Sequence, residues 1–502
     1  MPRRFYGGLR TRLTNKVLEF STKTFLLEKM NNWLGYLCIA GLALVYAWLI
    51  THNDKWGFLL FGIIAGIVIA IICLTQVEFS FYLLLFLSFF IYFISAFVFK
   101  GELPVGAIFD TIVVLTFLSL LITRTDFKKS WANFIKIPLV GYILVRFFFD
   151  LVEMFNPNSM GASATSFQGV RKFLEYTMIL FIAYTLFDSY QRIRKFTVAL
   201  FIAATGSAIY GCIQQWHGLF DFELQPILAN PHAFGLLFQN GEFKKFSTMS
   251  DPSSFGIIMA VCATFFLLLG IQEKNKAYRA SFFIGSIFMI LGMGYSGTRT
   301  AYATLLAGIA FFILLNIDKS WVKKFGAACV LVFLILMYGP FSSIGTIRRF
   351  RSTFQGTQDE SYNVRTLARK FIQPYILSHP IGGGLGTTGF NGAIEHPGHP
   401  LANFQPDSSY LTKATETGWI GLATILILYF WTLKVAIVGF FRVRHPLVKA
   451  YYGAAASSLF AFYIAEFAQV AIGGISDVIV YFGLVGIVLK LKYYENDLPS
   501  PS

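Results

Sequence analysis

The sequence predicts an all-α polytopic integral membrane protein of about 12–14 transmembrane helices, with one large and one smaller external insertion. Three observations predict it. Hydrophobic residues make up 56% of the 502, and phenylalanine alone contributes 56, far from the balance of a soluble chain. Fourteen apolar runs are each about as long as the ~17–25 residues that cross hydrocarbon as a helix. Basic residues recur in every second connection between those runs.

Taken in order, the chain opens with a basic segment, 1–32, carrying Arg3, Arg4, Arg10, Arg12, Lys16, Lys23 and Lys29. It shows no small-residue cleavage pattern after a short apolar core, so the first span is expected to be a retained anchor. Apolar runs follow near 33–50, 57–74, 79–99, 106–123, 134–152, 170–187, 196–215, 253–271, 281–297, 300–316 and 325–340, and again near 418–437, 449–466 and 474–490. This divides the chain into a membrane domain at 33–341 with a loop near 216–252, a polar insertion at 342–417, C-terminal spans at 418–490 and a tail at 491–502. Arg124/Lys128/Lys129, Arg192/Arg194/Lys195, Lys274/Lys276/Arg279, Lys319/Lys323/Lys324 and Arg442/Arg444/Lys449 mark the cytoplasmic turns. Both termini are then cytoplasmic, and the two insertions face the other side.

The net charge of +15 is absorbed by these short turns, and no basic stripe on a soluble face speaks for nucleic acid. Cys38, Cys73, Cys212, Cys262 and Cys329 fall inside apolar runs, where cysteine acts as a small apolar residue, and neither a disulfide framework nor zinc spacing is present. No metal or cofactor is expected. No internal repeat is visible, which weighs against transporter folds built from repeated halves.

Chemistry concentrates in the polar insertion, since loops beyond about 12–15 residues are usually functional or disordered. Within it, 362–377 has apolar residues at helical spacing with Arg365, Arg369 and Lys370 on the opposite edge. His379-Pro380 ends that helix, and the GGGLG run at 382–386 permits a tight turn. Arg365 and Arg369, four apart, can face one anion or form a solvated basic face. Arg299, between two apolar runs near the external side, is costly there unless it snorkels or clamps an anion with its fork. Arg171 opens a run as a candidate anion contact or as an i,i+4 partner of Glu175, and Arg146 with Asp150 reads as a structural pair. Glu395, His396, His399 and Asp407 are the acid–base candidates. Two histidines three apart beside Pro and Gly are not a metal motif by themselves. Asp407 is placed either to cap the helix that follows or to accept a proton.

In this order the motifs resemble the O-antigen ligase and polymerase family of bacterial inner-membrane glycan transferases. They are FSTMSDPSSFG at 246–256, SGTR at 296–299, NVR at 363–365, HPIGGGLG at 379–386, DSSYL at 407–411 and ETGWIGL at 416–422. The resemblance implies a metal-independent, inverting transferase. Its donor would be an undecaprenyl-pyrophosphate-linked glycan, its acceptor lipid A-core or a growing polysaccharide, and its active face periplasmic. By position, Arg299 and Arg365 look like the pyrophosphate-binding arginines; Arg369 and Arg171 stay candidate substrate contacts from their own sequence setting. One departure matters: ligases of the family show a His-Asn pair where this chain has Asp407-Ser408. The base is therefore open among Asp407, His396 and His399, and so is ligase against polymerase. The competing class is a lipid-linked-glycan flippase or other polytopic transporter.

Reporter fusions after Lys129, Lys324 and Gly392 test the topology. The first two are expected to report cytoplasmic and the third external; a cytoplasmic Gly392 sinks the placement of the insertion.

Overall fold

The computed structural model describes residues 32–497 apart from 53, 162–163, 240, 342 and 355–359. Most of the basic N-terminal segment and the end of the tail lie outside the described residues. In chain order the helices are α1 (Trp33–His52), α2 (Asp54–Thr75), α3 (Val77–Phe99), α4 (Val105–Thr123), α5 (Phe127–Ile135), α6 (Pro138–Val152), α7 (Ala164–Leu186) and α8 (Tyr190–His217). The smaller insertion follows with α9 (Asp221–Leu228), α10 (Pro231–Leu237) and an antiparallel hairpin of β1 (Phe238–Gln239) and β2 (Glu242–Phe243), with Phe238 opposite Phe243. Next come α11 (Pro252–Gln272), α12 (Lys276–Tyr295), α13 (Arg299–Leu315) and α14 (Ser320–Tyr338). The large insertion holds α15 (Gly345–Ser352), α16 (Glu360–Ser378), α17 (Gly389–Glu395) and α18 (Ser409–Glu416). The chain closes with α19 (Gly418–Arg442), α20 (Pro446–Ala465) and α21 (Ile475–Lys490).

Each apolar run falls on a helix, and the fold class is all-α polytopic. Among the described residues seven helices, α3, α4, α8, α11, α12, α14 and α19, are long and apolar enough to cross a membrane. Helix starts follow local chemistry. Asp251 accepts from the N–H groups of Ser253 and Ser254 at 2.9 and 3.0 Å to begin α11, Asn275 caps α12, and Pro leads α6, α11 and α20, where its missing N–H costs nothing. α16 ends at Ser378, before His379-Pro380, as the sequence predicts.

The chain divides into two compact units. In the first, 1–84 with 110–133, α1 packs on α2, and the hydroxyls of Ser80 and Thr116 bond at 2.6 Å. In the second, 85–109 with 134–502, α11 is buried along nearly its whole length against α12, α13 and α20. Lipid tails are as apolar as leucine, so membrane helices associate through close packing rather than water exclusion, and small residues at the contact allow it. Gly308 of α13 is such a contact: a Cβ there would stand 2.7 Å from Thr264 on α11 and 3.3 Å from Ala461 on α20. On the next interface Gly285 of α12 leaves room for Phe201 of α8.

At one end of this second unit its connecting segments interlock, and this positions the site. Asn156 and Asn158 donate to the carbonyls of Ile381 and Gly382, both at 2.8 Å. The N–H groups of Gly383 and Gly384 pair with the carbonyls of Thr415 and Glu416 at 2.9 and 2.8 Å. Gly382 and Gly418 both have positive φ, 73° and 68°, and pass backbone to backbone where a Cβ on either would collide with the other strand of chain.

Gly308→Val is expected to force α11, α13 and α20 apart and to destabilise the fold by roughly 1–3 kcal/mol, the usual cost of overpacking. A thermal melt in detergent checks it, and a melting temperature equal to the parent's rejects this contact as a packing constraint.

Candidate active site

A cavity of about 850 Å³ opens where the N-terminus of α13 faces α15, α16, α19 and α20. Its lining includes four cations, Lys244, Arg299, Arg349 and Arg369. It also includes an apolar set, Leu426, Phe430 and Leu433 of α19, Phe460 and Ile464 of α20, and Phe467, which meets the cations at Arg369. Gly297, Thr298 and Thr300 bring the first turn of α13 to the cavity, so the helix macrodipole adds to the same positive potential.

The cations are held close together. Burial and then the neighbouring charges of Arg349 and Arg299 push the Lys244 amine below its ordinary value. Arg349 comes from α15, and its Nη2 donates to the Gln239 carbonyl at 2.9 Å, tying the smaller insertion's hairpin to the larger insertion. Its guanidinium passes directly over Gly297, which has φ +64° and where any Cβ would collide with Nη1. The glycine of the SGTR motif thus makes room for a second arginine. Arg351 donates to the carbonyls of Leu336, at 2.8 Å, and Gly339, fixing α15 to the end of α14. Arg369 of α16 donates to the Phe467 carbonyl at 3.3 Å, lies 4.7 Å over the Phe467 ring, and faces Asp407 at 3.5 Å.

Of the residues singled out from sequence, Arg299 and Arg369 meet in this cavity, and Asp407 joins them through Arg369. Arg365 lies on α16 one turn before Arg369, but its side chain is outside the described residues. Arg171 does not line the cavity; its guanidinium sits 3.4 Å from where a Cβ on Gly106 would be. Asp407 does not cap the following helix: Ser408 does, accepting from the Leu411 N–H at 3.1 Å. His396 and His399 are buried and line no part of the cavity. The Nδ1 of His399 accepts from the Leu401 N–H at 3.1 Å, so its Nε2–H donates to the Asn158 carbonyl at 3.0 Å. Both ring nitrogens of His399 are occupied, Nε2 in joining the insertion to the 153–159 turn and Nδ1 in holding the insertion's own backbone at Leu401. Glu416 has a similar holding role. Its Oε1 accepts from the Thr388 hydroxyl at 2.6 Å, and burial raises its carboxyl pKa.

Sequence reading missed Arg349 and Lys244, yet a signal exists. IRRFRS at 347–352 and Lys244-Lys245 fall in the two polar insertions that the alternation of basic turns predicts to be external, where positive residues are unexpected. In the structure Arg349 and Lys244 line one cavity. Among the described residues no group of three His, Cys, Asp or Glu is placed to hold a metal ion.

Residues 284–426 match the family model described as O-antigen ligase, which supports assigning the chain to the O-antigen ligase and polymerase family. The matched segment includes Arg299, Arg349, Arg365, Arg369 and Asp407 and leaves Lys244 outside. No curated protein matches the chain.

Burial first, then the charges of His396 and His379, lowers the His399 pKa, against the opposing pull of the Asn158 carbonyl. The neutral ring therefore stabilises the insertion fully above the unfolded value of about 6.5, and that contribution is lost as pH falls below it. Limited proteolysis of the 379–402 segment is expected to speed up several-fold from pH 7.5 to 5.5. His399→Gln should flatten that dependence; an unchanged one in the variant assigns it to another group.

Proposed function

With an O-antigen ligase domain as the premise, we propose that the protein transfers a glycan from undecaprenyl pyrophosphate to a hydroxyl of a saccharide acceptor, at the periplasmic face of the bacterial inner membrane. The observation that carries this is the mixed lining of one cavity, four cations together with an apolar set from α19 and α20, which matches the two ends of a lipid pyrophosphate. Phe430 is 69% exposed, so the apolar wall opens on the flank of α19, a side from which a prenyl chain can enter while its headgroup stays at the cations.

The reaction is a single displacement. The acceptor oxygen attacks the anomeric carbon, the bond from that carbon to the pyrophosphate oxygen breaks, and its electron pair leaves with the pyrophosphate. Inversion follows. Arg299 and Arg349 supply forked hydrogen bonds and Lys244 a point charge where negative charge develops, the electrostatic term that usually dominates such catalysis. A pyrophosphate is already a good leaving group, so arginines can do the work without a metal. Asp407, set against Arg369, takes the acceptor's hydroxyl proton and aligns the attacking oxygen. It replaces His399 in that role because the His399 ring is bound on both nitrogens.

Purified protein with a lipid-linked donor tests the reading. Arg299→Lys and Arg349→Lys keep charge but lose the fork, and each is expected to lower transfer at least 10-fold at normal protein level. Asp407→Asn should lower turnover about 10²-fold or more, the usual scale for a lost general base. Near-parental transfer by both lysine variants rejects the clamp, and full activity in Asp407→Asn removes the carboxylate from the reaction.

A further inference from the structure

A second cavity, of about 230 Å³, lies on the other side of α18. Tyr410 of that helix faces the first cavity, whereas Ser409, Thr412, Lys413 and Glu416 face the second. Tyr429 of α19 lines both and forms the partition between them. It is held by stacking on Tyr463, ring centroids 4.3 Å apart, and by its hydroxyl, which donates to Glu466 at 3.2 Å. Leu385 and the 470–473 segment contribute to the walls, so the cavity reaches the same interlocked end of the unit as the first.

Three cations line it, Arg146, Lys172 and Lys413, against two carboxyl groups, Asp150 and Glu416. Arg146 and Lys413 share one oxygen of Asp150, at 2.7 and 3.4 Å. Glu416 is occupied by Thr388. Glu175 and Glu153 lie near enough to act on these charges but do not line the cavity, and Glu153 accepts from Asn156 at 2.7 Å. The side chain of Arg146 is 1% exposed, and apart from the ion pair its guanidinium nitrogens make no hydrogen bond. A guanidinium has five N–H groups to give, and a buried one left without acceptors is costly. The hydroxyls of Ser409, Thr412 and Tyr481 complete the lining; the Thr412 hydroxyl donates to the Ser408 carbonyl at 3.0 Å, Ser409 bonds Glu466 and Tyr481 pairs with the Tyr463 hydroxyl at 3.3 Å, which leaves oxygen lone pairs to accept from a ligand's hydroxyls.

We propose that this second cavity is a subsite for one acidic sugar residue, its carboxylate received by Arg146 and Lys172 and its ring hydroxyls by Thr412 and Ser409. The proposal rests on the transferase reading for its biological setting, though not for its chemistry. The volume is below the ~300–1,000 Å³ of drug-sized sites and suits a single ring, not a longer glycan. An anion is favoured over a neutral sugar because the guanidinium fork matches a carboxylate in two parallel bonds.

The test is binding of sodium glucuronate against glucose to the full chain in nanodiscs, followed by saturation-transfer NMR, which needs no turnover. Glucuronate is expected to bind at least 10-fold more tightly. Lys172→Met, at an exposed side chain, and Thr412→Val, at a half-buried one, should each weaken it several-fold while the melting temperature stays near the parent's. Arg349→Lys, in the first cavity, should leave glucuronate binding in place. Equal binding of the two sugars, or loss in Arg349→Lys with none in Lys172→Met, overturns the proposal. Should transfer never be observed while glucuronate binding follows this pattern, the transferase reading falls and the subsite stands. With active protein, a Lys172→Met effect on the KM of a uronate-bearing acceptor alone, or of such a donor alone, tells which glycan the subsite reads. An unchanged KM for both also overturns it.

Discussion

The site depends on arginines that are held by neutral oxygens. Arg349 is fixed by the Gln239 carbonyl, Arg351 by those of Leu336 and Gly339, and Arg369 in part by that of Phe467. A carbonyl orients a guanidinium without cancelling its charge, whereas a carboxylate does both. The cost is burial of charge and then mutual repulsion, both of which depress the Lys244 amine, and the interlocked insertions bear it. Bringing an anion to such a place relieves the repulsion, so binding and folding pull the same way. The second cavity is built differently, with cations doubled on a single carboxylate.

Much of this architecture was legible in the sequence because its causes are local or periodic. Apolar runs fall on helices, seven of them among the described residues long and apolar enough to cross a membrane against the 12–14 expected, with the 134–152 run broken ahead of Pro138; His379-Pro380 ended α16 where predicted. SGTR pointed to Arg299, since an arginine between two apolar runs is costly without a task, and the four-residue spacing from Arg365 on one helix pointed to Arg369. What could not be read were relations between distant segments. Nothing local to Arg349 says that it crosses over Gly297, 52 positions earlier in the chain. Asp407 and Ser408 are both good caps, and only the packing of α18 chose the serine. For the histidines, the decisive fact is which nitrogens the backbone occupies, a property of the folded insertion alone.

The glycine run shows the same division. Its composition announces a tight turn, but the reason for the turn is Glu416. That carboxyl group stands at the end of α18, where Thr388 and the backbone of the run converge on it, so a single buried acid ties the turn to the helix that Asp407 and its capping neighbour Ser408 lead into. Side chains that look catalytic by type, Glu416 and His399, here serve as fasteners, and the chemistry falls to residues they hold in place.

Tyr429 carries a consequence of its own. A ring shared as the wall of two cavities cannot shift for one occupant without reshaping the room of the other. Any difference in affinity that an occupant of the first cavity imposes on the second must be returned in equal measure, because coupling between binding equilibria is reciprocal. Tyr429, stacked on Tyr463, is the side chain through which such a coupling would pass.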